Sequence, residues 1–78
     1  MNTATLKRKF NMKMHEVIND YDNETISKAE ALDQMLFYAK GFRAMVRNLH
    51  EFDIITREEY IDLTDWAKET HIFYKGTL

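Results

Sequence analysis

Cysteine and proline are both absent from this chain, and glycine occurs only at Gly41 and Gly76. Without cysteine the chain has neither a disulfide nor a thiolate ligand for a metal, a composition typical of proteins in a reducing compartment. The lack of proline and the scarcity of glycine argue against a flexible linker. We therefore expect one domain over residues 1–78 and a cytoplasmic location.

Long apolar runs are missing as well. A membrane-spanning helix needs about 18 or more consecutive apolar residues, and no segment of the sequence approaches that length. No apolar stretch follows the N-terminus as it would in a signal peptide. We expect no membrane partner.

The net charge of −2 argues against a protein that binds by covering nucleic acid phosphates.

One helix-start motif occurs twice in the sequence. Ser27 and Glu30 form the first copy, Thr56 and Glu59 form the second, and an isoleucine precedes each. In such a capping box the hydroxyl accepts a hydrogen bond from the backbone of the glutamate, whose carboxylate accepts one from the backbone of the capping residue. The two motifs predict two successive helices that begin at these positions.

Apolar residues recur every three or four positions through three segments, which is the periodicity of amphipathic helices. The pattern predicts helices at about 4–21, 28–52 and 57–70, followed by an apolar tail at 71–78 that either docks on the helices or contacts a partner. Because the connections are short, neighbouring helices should be antiparallel. We predict an all-α, up-down-up bundle of three helices with a long central helix, and we expect it to dimerise.

Gly41 falls within the second helical segment, where glycine costs about 1 kcal/mol relative to alanine. We interpret it as a point of close helix approach beside Ala39 and Ala44, in preference to a kink. On the third helix the inward-facing residues should be Tyr60, Ile61, Leu63, Thr64 and Ala67.

Catalytic, cofactor and metal motifs are not found in the sequence. His15, His50 and His71 are not spaced to share a helix face, and no His-Glu-x-x-His motif occurs. No glycine-rich phosphate loop and no nucleophile motif is present, and three short helices rarely form the concave site that acid–base catalysis needs. We expect no enzyme activity, no metal and no cofactor.

The third helix carries an acidic row whose members are spaced 4, 3 and 4 residues apart and so share one face: Glu58, Asp62, Asp65 and Glu69. One interpretation is a docking surface for a protein partner with a basic surface. Aromatic residues tend to carry binding energy at interfaces. We therefore add Trp66, Phe73 and Tyr74 to the partner-binding residues.

The other interpretation of the acidic row is intramolecular. Lys40, Arg43 and Arg47 lie on one face of the second helix, and a symmetric hairpin would place Arg47 level with Tyr60. Ion pairs across this seam would each contribute only about 0.2–1 kcal/mol on a solvated surface.

The central helix contains five consecutive non-polar residues, at positions 35–39. Because five residues cover more than one helical turn, Phe37 or Tyr38 must point away from the core. Exposed aromatic side chains are typical of protein interfaces, so we assign these two residues to a dimer interface. Alternatively, the helix lies centrally and is buried on two sides.

Basic residues without any acidic neighbour occupy the start of the chain: Lys7, Arg8, Lys9 and Lys13. They are the best candidates for nucleic-acid contacts, although Gly41 is not followed by the capped recognition helix of a helix-turn-helix motif. The alternative is that the basic first helix complements the acidic third helix within the bundle.

The chain is short, lacks cysteine and proline, and has Ile-[Ser/Thr]-x-x-Glu helix starts at Ile26 and Ile55. In these features it resembles, over residues 25–70, the short helical accessory proteins of bacteriophages and mobile elements. Some of those proteins inhibit host defence or transcription machinery. The resemblance implies a small non-enzymatic protein that binds and modulates another protein, and it assigns no role to individual residues. The alternatives are a DNA-binding or transcription-modulating regulator that uses the basic first helix, and a purely structural oligomer.

Overall fold

Three α-helices make up most of residues 2–78, the part of the chain that a computed structural model describes. Helix α1 spans Thr3–Asp22, α2 spans Lys28–Glu51 and α3 spans Arg57–Gly76. Residues 2–78 contain no strand. The prediction of an all-α chain with three helices, the second of them the longest, is confirmed. No helix in this part of the chain combines the length and the apolar character needed to cross a membrane.

Both capping boxes form. The Ser27 hydroxyl accepts from the Glu30 N–H at 3.1 Å, and the Glu30 carboxylate accepts from the Ser27 N–H at the same distance. Thr56 and Glu59 repeat the arrangement at 3.1 and 2.9 Å. The hydrogen bond from the Thr56 backbone lowers the pKa of the Glu59 carboxyl. Each capping box therefore provides hydrogen-bond acceptors for two backbone N–H groups at the exposed start of its helix.

The ends of α1 and α2 share one geometry as well. Glu24 and Asp53 follow the two helices in the left-handed region, with φ of 60° and 58°. The next residue in each case donates its N–H back across the helix end, from Thr25 to the Asp20 carbonyl and from Ile54 to the Leu49 carbonyl, both at 2.9 Å. This is the Schellman pattern of hydrogen bonds. Two connections of the same form thus join the three helices.

Helix α3 extends beyond the predicted boundary at residue 70 and reaches Gly76. Most of the predicted apolar tail is therefore the last turns of this helix, because residues 71–75 contain no proline or glycine that would stop it. Tyr74 from this segment is buried, whereas Ile72 and Phe73 are exposed. The segment docks through Tyr74 and Leu78, which packs against the core, and leaves Ile72 and Phe73 in solvent.

The core is entirely apolar apart from one tyrosine hydroxyl. Met14, Met35 and Leu63 are its largest fully buried side chains. Its full membership is Phe10, Met14, Val17, Ala31, Met35, Ala39, Phe42, Val46, Ile55, Leu63, Ala67 and Tyr74. Helix α2 supplies more of these residues than either neighbour, as expected for an element that packs against both.

An aromatic cluster joins the three helices near the middle of the molecule. The ring of Phe10 on α1 lies 5.1 Å from that of Phe42 on α2 and 5.4 Å from that of Trp66 on α3, measured between centroids. The Phe42 and Trp66 rings are 5.9 Å apart. Tilted and edge-to-face pairs at these distances add to the stabilisation from burial alone.

Of the residues predicted to face inward on α3, Leu63 and Ala67 are buried and Tyr60 and Thr64 are half-buried. The prediction for Ile61 is wrong, since 46% of this residue is exposed. Two residues along a helix correspond to about 200° of rotation. Ile61 therefore lies almost opposite Leu63.

Gly41 does not mark a close helix approach, contrary to the sequence-based interpretation. A Cβ atom built at this position would have nothing within 4 Å. We expect Gly41→Ala to raise the free energy of unfolding by about 0.5–1 kcal/mol, because alanine has the higher helix propensity at an exposed interior position. Thermal unfolding followed by circular dichroism would measure the change, and a destabilised variant would contradict the placement of Gly41 in open space.

Candidate functional site

The acidic row lies on the outer face of α3. Glu58, Asp62, Asp65 and Glu69 are all exposed. At about 100° of rotation per residue, their four positions fall within an arc of about 60°. One member is engaged within the chain, since the Asp62 carboxylate accepts from the Lys7 ammonium at 3.1 Å. A partly exposed pair of this kind contributes about 0–1 kcal/mol and leaves most of the row available.

Large apolar side chains flank the acidic row on both sides. Ile61 and Ile72 lie along one edge and Phe73 along the other, all within an arc of about 120° by the same rotation. Ile72 and Phe73 are 65% and 67% exposed. We call the acidic row together with these three residues the acidic face. It combines negative charge with large apolar side chains that the other residues of 2–78 leave exposed.

Two of the sequence-predicted binding residues take part in the packing of the bundle. The Trp66 ring is half-buried against the aromatic cluster, and the Lys7 ammonium lies 5.6 Å from its centroid. Tyr74 is only 6% exposed. Its hydroxyl donates to the Asn11 side chain at 2.9 Å and lies 3.3 Å from a ring nitrogen of His15. Burial raises the pKa of the Tyr74 phenol. Of the predicted aromatic residues, Phe73 is therefore the most accessible to a partner.

The two aromatic residues assigned to a dimer interface differ in exposure. Phe37 is 73% exposed, whereas Tyr38 is half-buried with its ring edge-on to Phe37 at 5.6 Å. The Lys13 ammonium lies 5.7 Å from the centroid of the Tyr38 ring. The structure therefore leaves Phe37 as the aromatic side chain that points away from the core.

The basic residues of α1 do not form one surface. Lys7 pairs with Asp62, and Lys13 pairs with Glu16 at 3.4 Å. Arg8 and Lys9 are exposed, but successive residues on a helix are turned by about 100° from each other. The four cations consequently spread around most of the helix circumference.

The basic row of α2 faces α3, although it does not pair with the acidic row. Arg43 and Arg47 line a groove with Tyr60 and Thr64. Across residues 2–78 the ion pairs are the two that involve Lys7 and Lys13. The expected pairing across the seam between α2 and α3 does not form, because the acidic row lies on another side of α3.

The histidines lie in three different surroundings. His50 stacks on Tyr60 with ring centroids 4.8 Å apart, and His15 contacts Tyr74 edge-on at 5.4 Å. The Nε2 atom of His71 is buried without a hydrogen-bond partner. Burial lowers the pKa of His71, and the charges of Lys75 and Arg43 lower it further. In the described part of the chain, no group of three or more histidine, aspartate or glutamate residues is arranged to hold a metal ion.

Three surface residues escaped the sequence analysis. Ile61 was predicted to face inward, Ile72 was not included among the partner-binding residues, and Lys68 was not grouped with the basic row of α2. Helical rotation from Asp65 would have placed both isoleucines beside the acidic row, provided that the helix was known to continue to Gly76. Lys68 could be grouped with α2 only once the contact between α2 and α3 was known.

Protein-family models, curated proteins and solved structures were compared with the chain, and none of them matches it.

Proposed function

We propose that this chain is a small non-enzymatic helical protein that binds and modulates another protein through its acidic face. The observation that carries the proposal is the arrangement on α3, where four exposed carboxylates lie between exposed apolar side chains. Exposed apolar side chains bordered by polar groups mark surfaces that a partner covers, and concentrated charge selects a partner of the opposite sign. The similarity to phage accessory proteins favours an inhibitory role.

The two kinds of side chain on the acidic face have different roles in this proposal. The carboxylates attract a partner with a basic surface and raise the rate of association. Ile72 and Phe73 become desolvated in the complex and slow its dissociation. A protein that grips nucleic acid phosphates has a suitable basic surface, and the row of carboxylates would compete for it.

The test compares retention of proteins from a lysate of the native cell by wild-type and altered chains. Asp65→Lys with Glu69→Lys removes the charge of the acidic face without disturbing the Lys7–Asp62 pair. The matched control is Asp33→Lys with Glu51→Lys, which makes the same change at exposed sites on α2. We expect the acidic-face variant to lose a protein that the control retains. Against the purified partner, the association rate should then fall for the same variant and depend less on salt.

A partner that binds both double variants as tightly as wild type would contradict the proposal. Circular dichroism must show equal helix content in both variants, so that loss of binding cannot be attributed to unfolding. Steep weakening of DNA binding with salt, abolished by changes at Arg8 and Lys9, would favour the alternative of a DNA-binding regulator. The spread of the α1 cations around the helix makes that alternative the weaker one.

We further propose an up-down-up arrangement of the helices. Two sets of contacts support it: across the seam between α2 and α3, Phe42 contacts Trp66 while His50 stacks on Tyr60, so residue numbers run in opposite directions there. On the other side of α2, Phe10 contacts Phe42 while Lys13 contacts Tyr38, again with opposite directions.

We also propose that two copies associate through Phe37, supported by its 73% exposure next to Tyr38. Light scattering should then report about twice the mass of one chain, because burial of two phenyl rings and their neighbours stabilises the pair. Phe37→Asp should give a folded monomer, while Phe52→Asp, at an equally exposed phenylalanine, should leave the dimer intact. A wild-type protein that remains monomeric at high micromolar concentration would contradict dimerisation.

A further inference from the structure

A groove of about 330 Å³ runs between α2 and α3 on a side of the molecule distinct from the acidic face. Lys40, Arg43 and Arg47 contribute one wall, and Tyr60, Thr64 and Lys68 contribute the other. The three cations of α2 follow each other at spacings of 3 and 4 residues, so they stand about one helical turn apart on a single face.

Among residues 2–78, no acidic side chain lines this groove. The two ion pairs among the described residues involve neither Lys40, Arg43, Arg47 nor Lys68. Four like charges therefore face one another across a concave surface without internal compensation, although the chain as a whole has a net charge of −2. Concave surfaces lined by one sign of charge concentrate the potential and attract counter-ions.

We propose that this groove is a binding site for an anion that carries two or more linked phosphate groups. The proposal is independent of the acidic face and goes beyond protein binding. Two arginines supply planar donor groups that match phosphate oxygens in pairs, and the two lysines supply further positive charges. The hydroxyls of Thr64 and Tyr60 are available as neutral donors on the opposite wall.

Charge density favours linked phosphates over an acidic peptide. Adjacent carboxylates on an extended peptide are separated by about 7 Å when they share one side, because alternate residues point to opposite sides. Linked phosphates place their charges closer together than this. The groove has a volume of only about 330 Å³. Four cations in so small a space are best neutralised by the more compact anion.

His71 provides a second observation at the same seam. Its Nε2 atom is buried and lacks a partner. Among the described residues, the charged groups that act on this ring are Lys75 on α3 and Arg43 on α2. A negative ligand held by Arg43 would offset their repulsion of the protonated ring. The pKa of His71 should therefore rise when the groove is occupied.

Isothermal titration calorimetry with sodium tripolyphosphate at low ionic strength tests the proposal. Arg43→Gln with Arg47→Gln removes two donors from the groove, whereas Arg8→Gln with Lys9→Gln makes the same change in charge on α1. We expect the dissociation constant to increase by at least about tenfold for the groove variant and by less than about twofold for the α1 variant. If the first variant fails to fold, Lys40→Gln with Lys68→Gln replaces two exposed side chains of the same groove.

Nuclear magnetic resonance locates the ligand and follows the titration of the His71 ring. Shift changes centred on residues 40–47 and 60–68, with a raised pKa of His71, are the expected result. A short single-stranded oligodeoxynucleotide is titrated in parallel. Tighter binding of tripolyphosphate than of the oligonucleotide at these residues would support a compact ligand, whereas tighter binding of the oligonucleotide, whose phosphates are separated by sugars, would contradict it.

Three further results would overturn the proposal. The first is tripolyphosphate binding that both double variants weaken equally, since that indicates general attraction to positive charge. The second is a set of shift changes centred on α1. The third is polyglutamate binding to the groove at least as tightly as tripolyphosphate at equal charge, which would show that phosphate is not the preferred ligand. None of these outcomes depends on the protein partner of the acidic face.

Discussion

Phe10→Ala should lower the free energy of unfolding by about 3–5 kcal/mol, the range for truncation of a buried phenylalanine. Phe10 is 4% exposed, and its ring contacts both Phe42 and Trp66. Its loss removes the aromatic link from α1 to the other two helices and leaves a cavity that rigid helices cannot fully close. Urea unfolding followed by far-ultraviolet circular dichroism would measure the change.

Phe73→Ala is the matched control, because the same atoms are removed from a side chain that is 67% exposed. Surface substitutions of this kind usually change stability by no more than about 0.5 kcal/mol. A chain of this length has a total stability of roughly 4–12 kcal/mol, so the Phe10 variant should be partly unfolded at moderate temperature while the control remains folded. Equal losses in both variants would show that the aromatic cluster is not the link between the helices.

Leu63→Ala should lower the free energy of unfolding by about 2–5 kcal/mol. Leu63 is fully buried on α3 and belongs to the core that this helix forms with α2 and α1. No polar group is exposed by the change. The lost stability therefore consists of the transfer free energy of the removed atoms and the cost of the cavity left behind. Thermal and urea unfolding should both report it, with the m-value unchanged if the native state keeps its compactness.

The control for this prediction lies two residues earlier on the same helix. Ile61→Ala removes a side chain of similar size that is 46% exposed, and we expect a loss smaller than about 1 kcal/mol. Both substitutions introduce the same residue into the same helix, so helix propensity contributes similarly to each. A larger loss at Ile61 than at Leu63 would mean that α3 presents the opposite face to the core.

The helix starts could be predicted because their signals are local. Ser27 with Glu30, and Thr56 with Glu59, lie within one turn of each other, so their hydrogen bonds follow from the backbone conformation alone. The end of α3 was predicted too early because Ile72 and Phe73 lie off the inward stripe, although Tyr74 and Leu78 continue the stripe of Leu63 and Ala67. The helix continues because no proline or glycine interrupts residues 71–75. It is also held by the hydrogen bond from the Tyr74 hydroxyl to Asn11 on α1, a residue distant in sequence.

The row of carboxylates on the acidic face could also be predicted, because its signal is local. Glu58, Asp62, Asp65 and Glu69 share a side of α3 because of helical periodicity alone. Sequence reasoning could not decide whether they face the basic row of α2. That question depends on the rotation of α3 about its axis, which is set by the burial of Leu63 and Ala67.

The sequence by itself determined the number of helices, the starts of α2 and α3, and the faces on which like charges gather, because each depends on residues within a few turns of one another. Only the tertiary structure decided which faces meet. It paired Lys7 with Asp62, buried Tyr74 and brought Lys68 into one groove with Arg43. The burial of apolar side chains sets the rotation of each helix about its axis. Its free energy is much larger than that of the surface ion pairs that would have favoured another rotation.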